Sequence, residues 1–557
     1  MYHEKDFTVS STALFKYITK EKKDVTAIYV YAILSGLVQL SIPLGIQAIV
    51  SFVMGATMVT SLYLLIAFVV LGTFLAGFFR IKVMQIIEKI QQKIFVEYSI
   101  AFAKKIPKIN LSATKKYFLP ELVNRFFDTQ NLQKGISKIL LDIPTALIQI
   151  SFGILLLSFY HPWFLVFGAL VVIIVIFIFR FTMNSGIRSS LEESDKKYEV
   201  ASWLEDVASA IKTFKINSNA DMHLTGTDER VVEYLENRTE HFKVLEFQYK
   251  AIIGFKVIIT LVMLGIGTYL LVNQKLNIGA FIATEIVVLT IMNAVESLIK
   301  SLESYYDVIA ALVKLNKVTD LSEETTGDIV LEQVQEGLAV SLQDVNFAFN
   351  DQKPILKNIS FEVKPNTINV ISGSLGAGKT TLLNVMAGFF EATSGVIMYD
   401  KIPFKNLNKM AIRDKIGLYT HDMVIIKGTL LENILLGRND ISTEEIMELC
   451  DQIGLGTFSS QFSNGFDTEL SETDTEVSYS GKKKITLLRA LLGKNRLIML
   501  EDPLYGMDDE FKRKMLAYLM KIKNNSTIII ISRSRELLEI ADRKFQLNDG
   551  TITIDLS

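Results

Sequence analysis

The chain of 557 residues predicts two architectures in series: an α-helical membrane domain of six transmembrane helices, followed by an α/β domain with a central sheet. Three observations lead there. Half of the residues are hydrophobic and the mean hydropathy is +0.32, too apolar for an ordinary soluble protein. Six apolar stretches before residue 300 each approach the ~20 residues needed to cross a hydrocarbon core. Beyond them, Gly373-Ser-Leu-Gly-Ala-Gly-Lys-Thr380 fits the G-x-x-x-x-G-K-[ST] spacing between an apolar strand and a helix.

Composition removes several other classes. A net charge of -2 and a pI of about 6.3 give no basic field for nucleic acid. Cys450 is the single cysteine, so no internal disulfide forms and a buried thiol is expected. Five scattered histidines and no cysteine/histidine cluster make a protein-bound transition metal unexpected. Met1 to Asp24 is polar and charged, unlike a cleaved secretory signal.

In chain order, Ser10 to Lys22 sets Ala13, Leu14, Phe15, Tyr17 and Ile18 among lysines, which suits a helix at a membrane surface or on a soluble face. The spans fall at about Thr26–Met54, Val59–Phe79, Ile139–Phe159, Trp163–Met183, Ala251–Val272 and Ile278–Ile299. Short turns join them into three hairpins (Gly55–Met58, Tyr160–Pro162, Asn273–Asn277), and the segments between hairpins are long and charged. Those segments carry Arg80, Lys82, Lys89, Lys93, Lys104, Lys105, Lys108, Lys115, Lys116, Arg188, Lys196 and Lys197, which places them in the cytoplasm. Ile86 to Phe102 keeps apolar residues at helical spacing, so the membrane helices are expected to continue as rods. Pro43 is tolerable within the first span. Glu285 and Glu296 lie in the sixth, where a carboxylate faces either a translocation cavity or a solvated bundle face.

Lys300 to Asp320 continues as helix, and Leu321 to Glu336 is an acidic linker. Strand-like runs at Ala339–Phe349, Ile359–Val363, Ile368–Ser372, Leu497–Leu500 and Thr527–Ser532 then alternate with helical ones. The domains are therefore drawn at 1–24, 25–320, 321–336 and 337–557.

The loop at 373–380 carries the chemistry. Its glycines let backbone N–H groups face phosphate oxygens, and the helix that follows adds its positive dipole end. Lys379 would reach the outer phosphates and Thr380 would offer a hydroxyl to Mg²⁺. The chain is thus expected to bind a nucleoside triphosphate.

Six spans with long cytoplasmic loops, then a phosphate-loop domain, resemble an ABC exporter half-transporter over nearly the whole chain. Gln39-Leu-Ser-Ile-Pro-Leu-Gly-Ile-Gln47 and Trp203-Leu-Glu-Asp-Val-Ala-Ser-Ala-Ile-Lys-Thr213 are similar to the type I secretion and peptide-exporter branch. Members of that branch often carry an N-terminal peptidase-like domain, for which the sequence before the first span leaves no room. The resemblance implies Mg-ATP bound by Gly373, Ser374, Gly376, Ala377, Gly378, Lys379, Thr380 and Thr381, with Phe349 stacked on adenine. It also implies a site shared head to tail between two nucleotide domains, in a homodimer or a heterodimer with another half-transporter. Ser478 and Asp508 belong to the signature and D-loop contributions.

Several positions depart from the family pattern. His421 stands where a glutamine contacts Mg²⁺, in a register fixed by Gly428-Thr-Leu-Leu-Glu-Asn-Ile434. The signature reads Val477-Ser-Tyr-Ser-Gly481, so Tyr479 and Ser480 replace two glycines that allow close approach to the γ-phosphate. Lys482, Lys483 and Lys484 either supply compensating charge or form a solvated run. After the strand Leu497–Leu500, Glu501-Asp502 stands where the family has Asp-Glu, making Glu501 the Mg²⁺ residue and Asp502 the general base, one methylene short. The shifted register would make Asp502 the metal residue and leave Pro503 as base. Arg533 replaces the switch histidine; it can offer a fixed cation but cannot relay a proton near neutral pH.

The function these features imply is export of a peptide, protein or other amphiphile, coupled to ATP binding and hydrolysis. The alternative is a slow or non-hydrolysing ATP-sensing subunit. The expected relay is docking of Lys108–Arg125 and Trp203–Lys215 on the nucleotide domain. The expected setting is a lipid bilayer, the bacterial inner (plasma) membrane, with the nucleotide domain cytoplasmic. The secretion branch would add a membrane fusion protein and an outer-membrane channel; nucleic acid is not an expected partner.

Overall fold

The computed structural model describes residues 12, 14, 19–55, 60–112, 119–217, 221–332, 334, 336–349, 353–471 and 477–555. The chain divides into two compact units, one of residues 1–108 and 117–321, the other of 109–116 and 322–557. Most of the expected surface helix at Ser10–Lys22, most of the Gly55–Met58 turn, and Lys115 and Lys116 lie outside the described residues.

The first unit is helical: α1 (Lys22–Gln39), α2 (Ser41–Met54), α3 (Thr60–Lys105), α4 (Asp128–Tyr160), α5 (Trp163–Ser209), α6 (Met222–Val272) and α7 (Ile278–Thr319). They provide six segments long and apolar enough to cross a membrane. The expected rods are present: α3, α5 and α6 have 46, 47 and 51 residues, or about 69–77 Å at 1.5 Å per residue.

The first span departs from the sequence expectation of one continuous helix. It breaks at Leu40, whose N–H donates to Leu37 O at 3.2 Å. The cause is local: Pro43 has no N–H to offer the carbonyl of Gln39, four residues back, so the regular ladder ends at α1.

Within this unit α7 is the most enclosed helix, with Val295, Ile299, Tyr306, Ile309 and Leu315 fully buried. Several polar groups there are paired, as burial demands. Gln248 Nε2 donates to Tyr306 Oη at 2.8 Å and to Thr182 Oγ1 at 3.1 Å, tying α5, α6 and α7. Glu296 pairs with Lys256 at 2.5 Å and Lys300 at 2.7 Å, so its charge is neutralised inside the bundle. Glu285 differs: its Oε1 is buried with no hydrogen-bond partner among the described residues.

The second unit holds β1 (Val340–Phe347), β2 (Leu356–Val363), β3 (Ile368–Gly373), β4 (Ser394–Tyr399), β5 (Ile402–Pro403), β6 (Ile416–Tyr419), β7 (Leu497–Glu501), β8 (Thr527–Ile531), β9 (Arg543–Asn548) and β10 (Thr551–Asp555). One sheet runs β2-β1-β4-β5 and is antiparallel. The other runs β10-β9-β3-β8-β7-β6 and is parallel except for the edge strand β10. Its central strands β7 and β8 are buried at every position, which explains why they read as continuous apolar runs. Helices α8 (Lys379–Met386), α9 (Tyr479–Leu491) and α10 (Asp509–Ile522) complete the elements that carry the site.

The acidic segment after Leu321 is held to this second unit. Glu324 takes Arg413 Nη1 at 2.7 Å, and Glu391 accepts from Thr325 Oγ1 at 2.6 Å.

Candidate nucleotide site

The parallel register fixes the site. Ile371 pairs with Ile531 and Ile531 with Glu501, so β3, β8 and β7 end together. Three connections therefore leave the sheet side by side: the loop from Gly373 to Gly378, the turn at Asp502, and the turn at Arg533. Bringing functional groups to the carboxyl ends of parallel strands is the general placement for ligands in open α/β sheets.

Gly376 (φ +80°) and Gly378 (φ +95°) adopt left-handed backbone that side-chain-bearing residues avoid. A Cβ on Gly376 would meet nothing within 4 Å, so the space outside that turn is open to a ligand. Gly378 then caps α8, and Ala377 is packed inward while Ser374, Leu375 and Gly376 face outward. Lys379 Nζ folds back onto the loop, donating to Ser374 O at 2.9 Å and Gly373 O at 3.2 Å. Burial, and then the neighbouring Arg533 charge, hold its ammonium below the ordinary lysine range.

On the opposite side, Thr380 Oγ1 and Glu501 Oε1 are hydrogen-bonded, and His421 donates its backbone N–H to Glu501 Oε2 at 3.2 Å. Thr380, Glu501 and His421 therefore meet, although the structure brings in the main chain of His421 rather than its ring. A hydroxyl and a carboxylate suit a hard cation such as Mg²⁺, which takes few protein oxygens and fills its shell from phosphates and water. Among the described residues there is no group of three or more His, Cys, Asp or Glu that would hold a metal by itself.

Asp502 sits one residue past the strand with φ +43°, a left-handed position that aspartate tolerates better than most residues. Its N–H is anchored to Ile531 O at 2.8 Å. Arg533 donates through Nε to Gly373 O at 2.7 Å. Phe349 stands edge-on to Phe347 and Phe390, with ring centroids 4.7 and 5.5 Å away. Thr381 follows in the first turn of α8.

The residues expected at the signature and D-loop occupy helix starts. Ser478 caps α9, its Oγ accepting from Gly481 N at 3.1 Å and lying 3.0 Å from Ser480 Oγ. Tyr479, the first residue of α9, is 70% exposed, so a ring projects where the family pattern has no side chain. Asp508 caps α10 by accepting from Phe511 N at 2.8 Å.

Two contacts were not legible as such in the sequence. Lys483 is not part of a solvated charge run: it is buried, and its Nζ donates to Tyr505 O at 2.5 Å, tying α9 to the turn before Asp508. Arg489, also on α9, donates through Nη2 to Asn433 Oδ1 at 2.9 Å and through Nη1 to Val424 O at 2.6 Å. Burial, and then Arg438, lower its guanidinium to about 10. Asn433 lies in the Gly428–Ile434 motif, whose Thr429 and Glu432 form a reciprocal capping box.

Comparison with known proteins agrees with this geometry. Residues 25–295 match the family model for the ABC transporter transmembrane region, and residues 356–505 match that for the ABC transporter itself. The chain belongs to the ABC transporters. Among relatives, the YknV ABC transporter ATP-binding protein of Bacillus subtilis (strain 168) is 25% identical over 52% of this chain and 48% of its own length. The lactococcin-A transport/processing ATP-binding protein LcnC of Lactococcus lactis subsp. lactis is 23% identical over 99% of this chain and 77% of its own. The chain spans about half the length of the curated relatives it first matches. A bacterial Atm1-family ABC exporter, solved with ATP bound, shares the fold of this ABC transporter at a TM-score of 0.83 and 17% identity, covering 96% of this chain and 94% of the other.

Proposed function

We propose that the chain is one half of an exporter that binds Mg-ATP and couples that binding and its hydrolysis to movement of its membrane helices, carrying a peptide, protein or other amphiphile outward. The observation that carries this reading is the meeting of Thr380 and Glu501 beside the open glycine loop, on a chain that also holds six membrane-length helices. The lactococcin transport protein among its relatives supports a peptide cargo. The working form is a dimer, with itself or with another half-transporter, in a bacterial inner membrane with the nucleotide domain on the cytoplasmic side. A membrane fusion protein and an outer-membrane channel rest on the resemblance alone.

Bound Mg-ATP supplies the free energy of phosphoanhydride hydrolysis. The chain's part is positioning and charge. Backbone N–H groups from Gly376 to Lys379 and the start of α8 bind phosphate oxygens; Lys379 leaves the Gly373 and Ser374 carbonyls to meet them. Thr380 and Glu501 would hold the cation, with His421 fixing Glu501 through its main-chain N–H. Asp502 holds the proton taken from water on its carboxylate oxygen. Arg533 adds a permanent positive charge, and Phe349 offers a ring face for the base.

A second reading has its own observation. Tyr479 projects from the start of α9 and is 70% exposed, so its ring stands in the way of the signature closing on a partner's nucleotide. In that case the chain is a slow or non-hydrolysing ATP sensor. Spin labels on α5 of two copies in nanodiscs test the coupling. The inter-label distance shifts with Mg-ATP and stays fixed in Lys379→Ala; a distance indifferent to ATP in the unchanged chain overturns the proposal.

A further inference from the structure

Between α1, α3, α4 and α7 lies a cavity of about 290 Å³ lined by Ser35, Gln39, Arg80, Asp142, Thr145 and Gln149 among others. Its depth follows from the helices. Counting at 1.5 Å per residue from the ends joined by the short turns, Arg80 is about 30 Å from Thr60, and Asp142 about 27 Å from Tyr160. Both charges thus sit at the inner margin of a hydrocarbon core about 30 Å thick, where an aqueous ligand can reach them.

The polar lining divides into groups already used and groups left over. Thr145 Oγ1 donates to Leu141 O at 2.7 Å and Ser35 Oγ to Ala76 O at 3.4 Å, so both hydroxyl protons go to the main chain. Gln149 Nε2 donates to Gln39 Oε1 at 2.9 Å. This leaves the Gln39 amide N–H₂ as a donor and the Gln149 carbonyl as an acceptor. Among the described residues neither Arg80 nor Asp142 makes a hydrogen bond or a close ion pair, although the charges of Lys138 and Arg80 both act on the Asp142 carboxylate through space. A cation and a carboxylate lining one cavity without pairing to each other, beside a free amide donor and acceptor, make an uncommon arrangement so near a bilayer core, where ionisable side chains normally pair.

We propose that this cavity binds a short zwitterionic peptide segment. Arg80 takes the terminal carboxylate, which its planar guanidinium matches; Asp142 takes the terminal ammonium; and the Gln39–Gln149 pair hydrogen-bonds one peptide unit with both of its free groups. The volume of about 290 Å³ lies just under the usual range of ligand pockets, about 300–1,000 Å³, so it seats a few small residues and not a folded cargo. The assignment rests on the export reading for its role, because it names the cargo chemistry that this reading leaves open.

Recognition through termini and one peptide unit needs no particular side chain, so trialanine is a sufficient probe. Its binding is measured by calorimetry on the full chain in nanodiscs made only of phosphatidylglycerol, beside N-acetyl-trialanine and trialanine amide. Arg80→Gln weakens trialanine about tenfold but leaves the amide unchanged; Asp142→Asn weakens trialanine about tenfold but leaves the acetylated form unchanged, as for loss of one charge-assisted contact. The exchanged pair Arg80→Asp with Asp142→Arg restores at least half of the lost affinity if folding is intact. Absence of trialanine binding overturns the proposal, and so does equal loss for free and capped peptides. Displacement of trialanine by added phosphatidylethanolamine, dependent on both charges, assigns the cavity to a lipid headgroup and also overturns it. Peptide binding without ATP-driven movement would leave the site standing and sink the export reading, whereas ATP-driven movement without peptide binding would do the reverse.

Discussion

The Arg533 guanidinium donates through Nε to the carbonyl oxygen of Gly373 at 2.7 Å, the oxygen that Lys379 Nζ also reaches at 3.2 Å. Two cations thus share one acceptor at the mouth of the loop; Arg533 holds it through Nε alone, which leaves its Nη groups for a phosphate while Lys379 can let the carbonyl go.

The first prediction follows from that pairing. Arginine stays protonated throughout the physiological range, whereas histidine ordinarily titrates near 6.5. In Arg533→His the added positive charge is therefore present at pH 6 and largely lost at pH 8. Binding of a fluorescent ATP analogue weakens between pH 6 and pH 8 several-fold more in this variant than in the unchanged chain. An identical pH ratio for both chains would mean that Arg533 does not act on phosphate.

At the signature segment, Tyr479→Gly with Ser480→Gly removes the exposed ring and one Cβ from the start of α9. Each glycine costs up to about 1 kcal/mol of helix stability, so the melting temperature falls. Mg-ATP turnover is nevertheless expected to rise several-fold, because backbone can now approach the partner's nucleotide. Unchanged turnover would locate the limitation elsewhere.

Lys483 gives a prediction about stability. Lys483→Met keeps the buried stem and leaves the Tyr505 carbonyl without its donor, costing about 1–3 kcal/mol. The exposed Lys427 serves as comparison, where the same change stays within about 0.5 kcal/mol. Thermal unfolding of the full chain reads both, and equal shifts would contradict the structural role assigned to Lys483.

These cases mark what was legible in the sequence. The six spans were, because membrane length and apolarity are properties of the segment itself; so was the phosphate loop, because its glycines and Lys379 are set by local spacing. The break at Leu40 was not, because a proline such as Pro43 fits inside a spanning helix as well as at a break, and only the fold decides between them. Lys483 and Arg489 were not legible, because charge along a sequence does not tell which carbonyl a folded neighbour presents. Asp508 is expected in the D-loop by resemblance; what the fold shows is that its carboxylate closes the first turn of α10.

Cys450 offers a check on packing of the second unit. It is buried, and burial pushes its thiol up to about 11, so at pH 8 about one molecule in a thousand carries the reactive thiolate. Iodoacetamide is expected to leave the folded chain unmodified over an hour and to label it fully in denaturant. Rapid labelling without denaturant would show that α-helical packing around residue 450 is open.

The central claim, that this altered site still turns over ATP, is met most directly by steady-state Mg-ATP hydrolysis of the purified chain in lipid nanodiscs. Lys379→Ala and Asp502→Asn are measured alongside it. Measurable turnover that both changes abolish is expected, with ATP binding retained in Asp502→Asn and lost in Lys379→Ala. No turnover by the unchanged chain, with ATP binding that still depends on Lys379, would contradict the claim and leave the chain an ATP sensor.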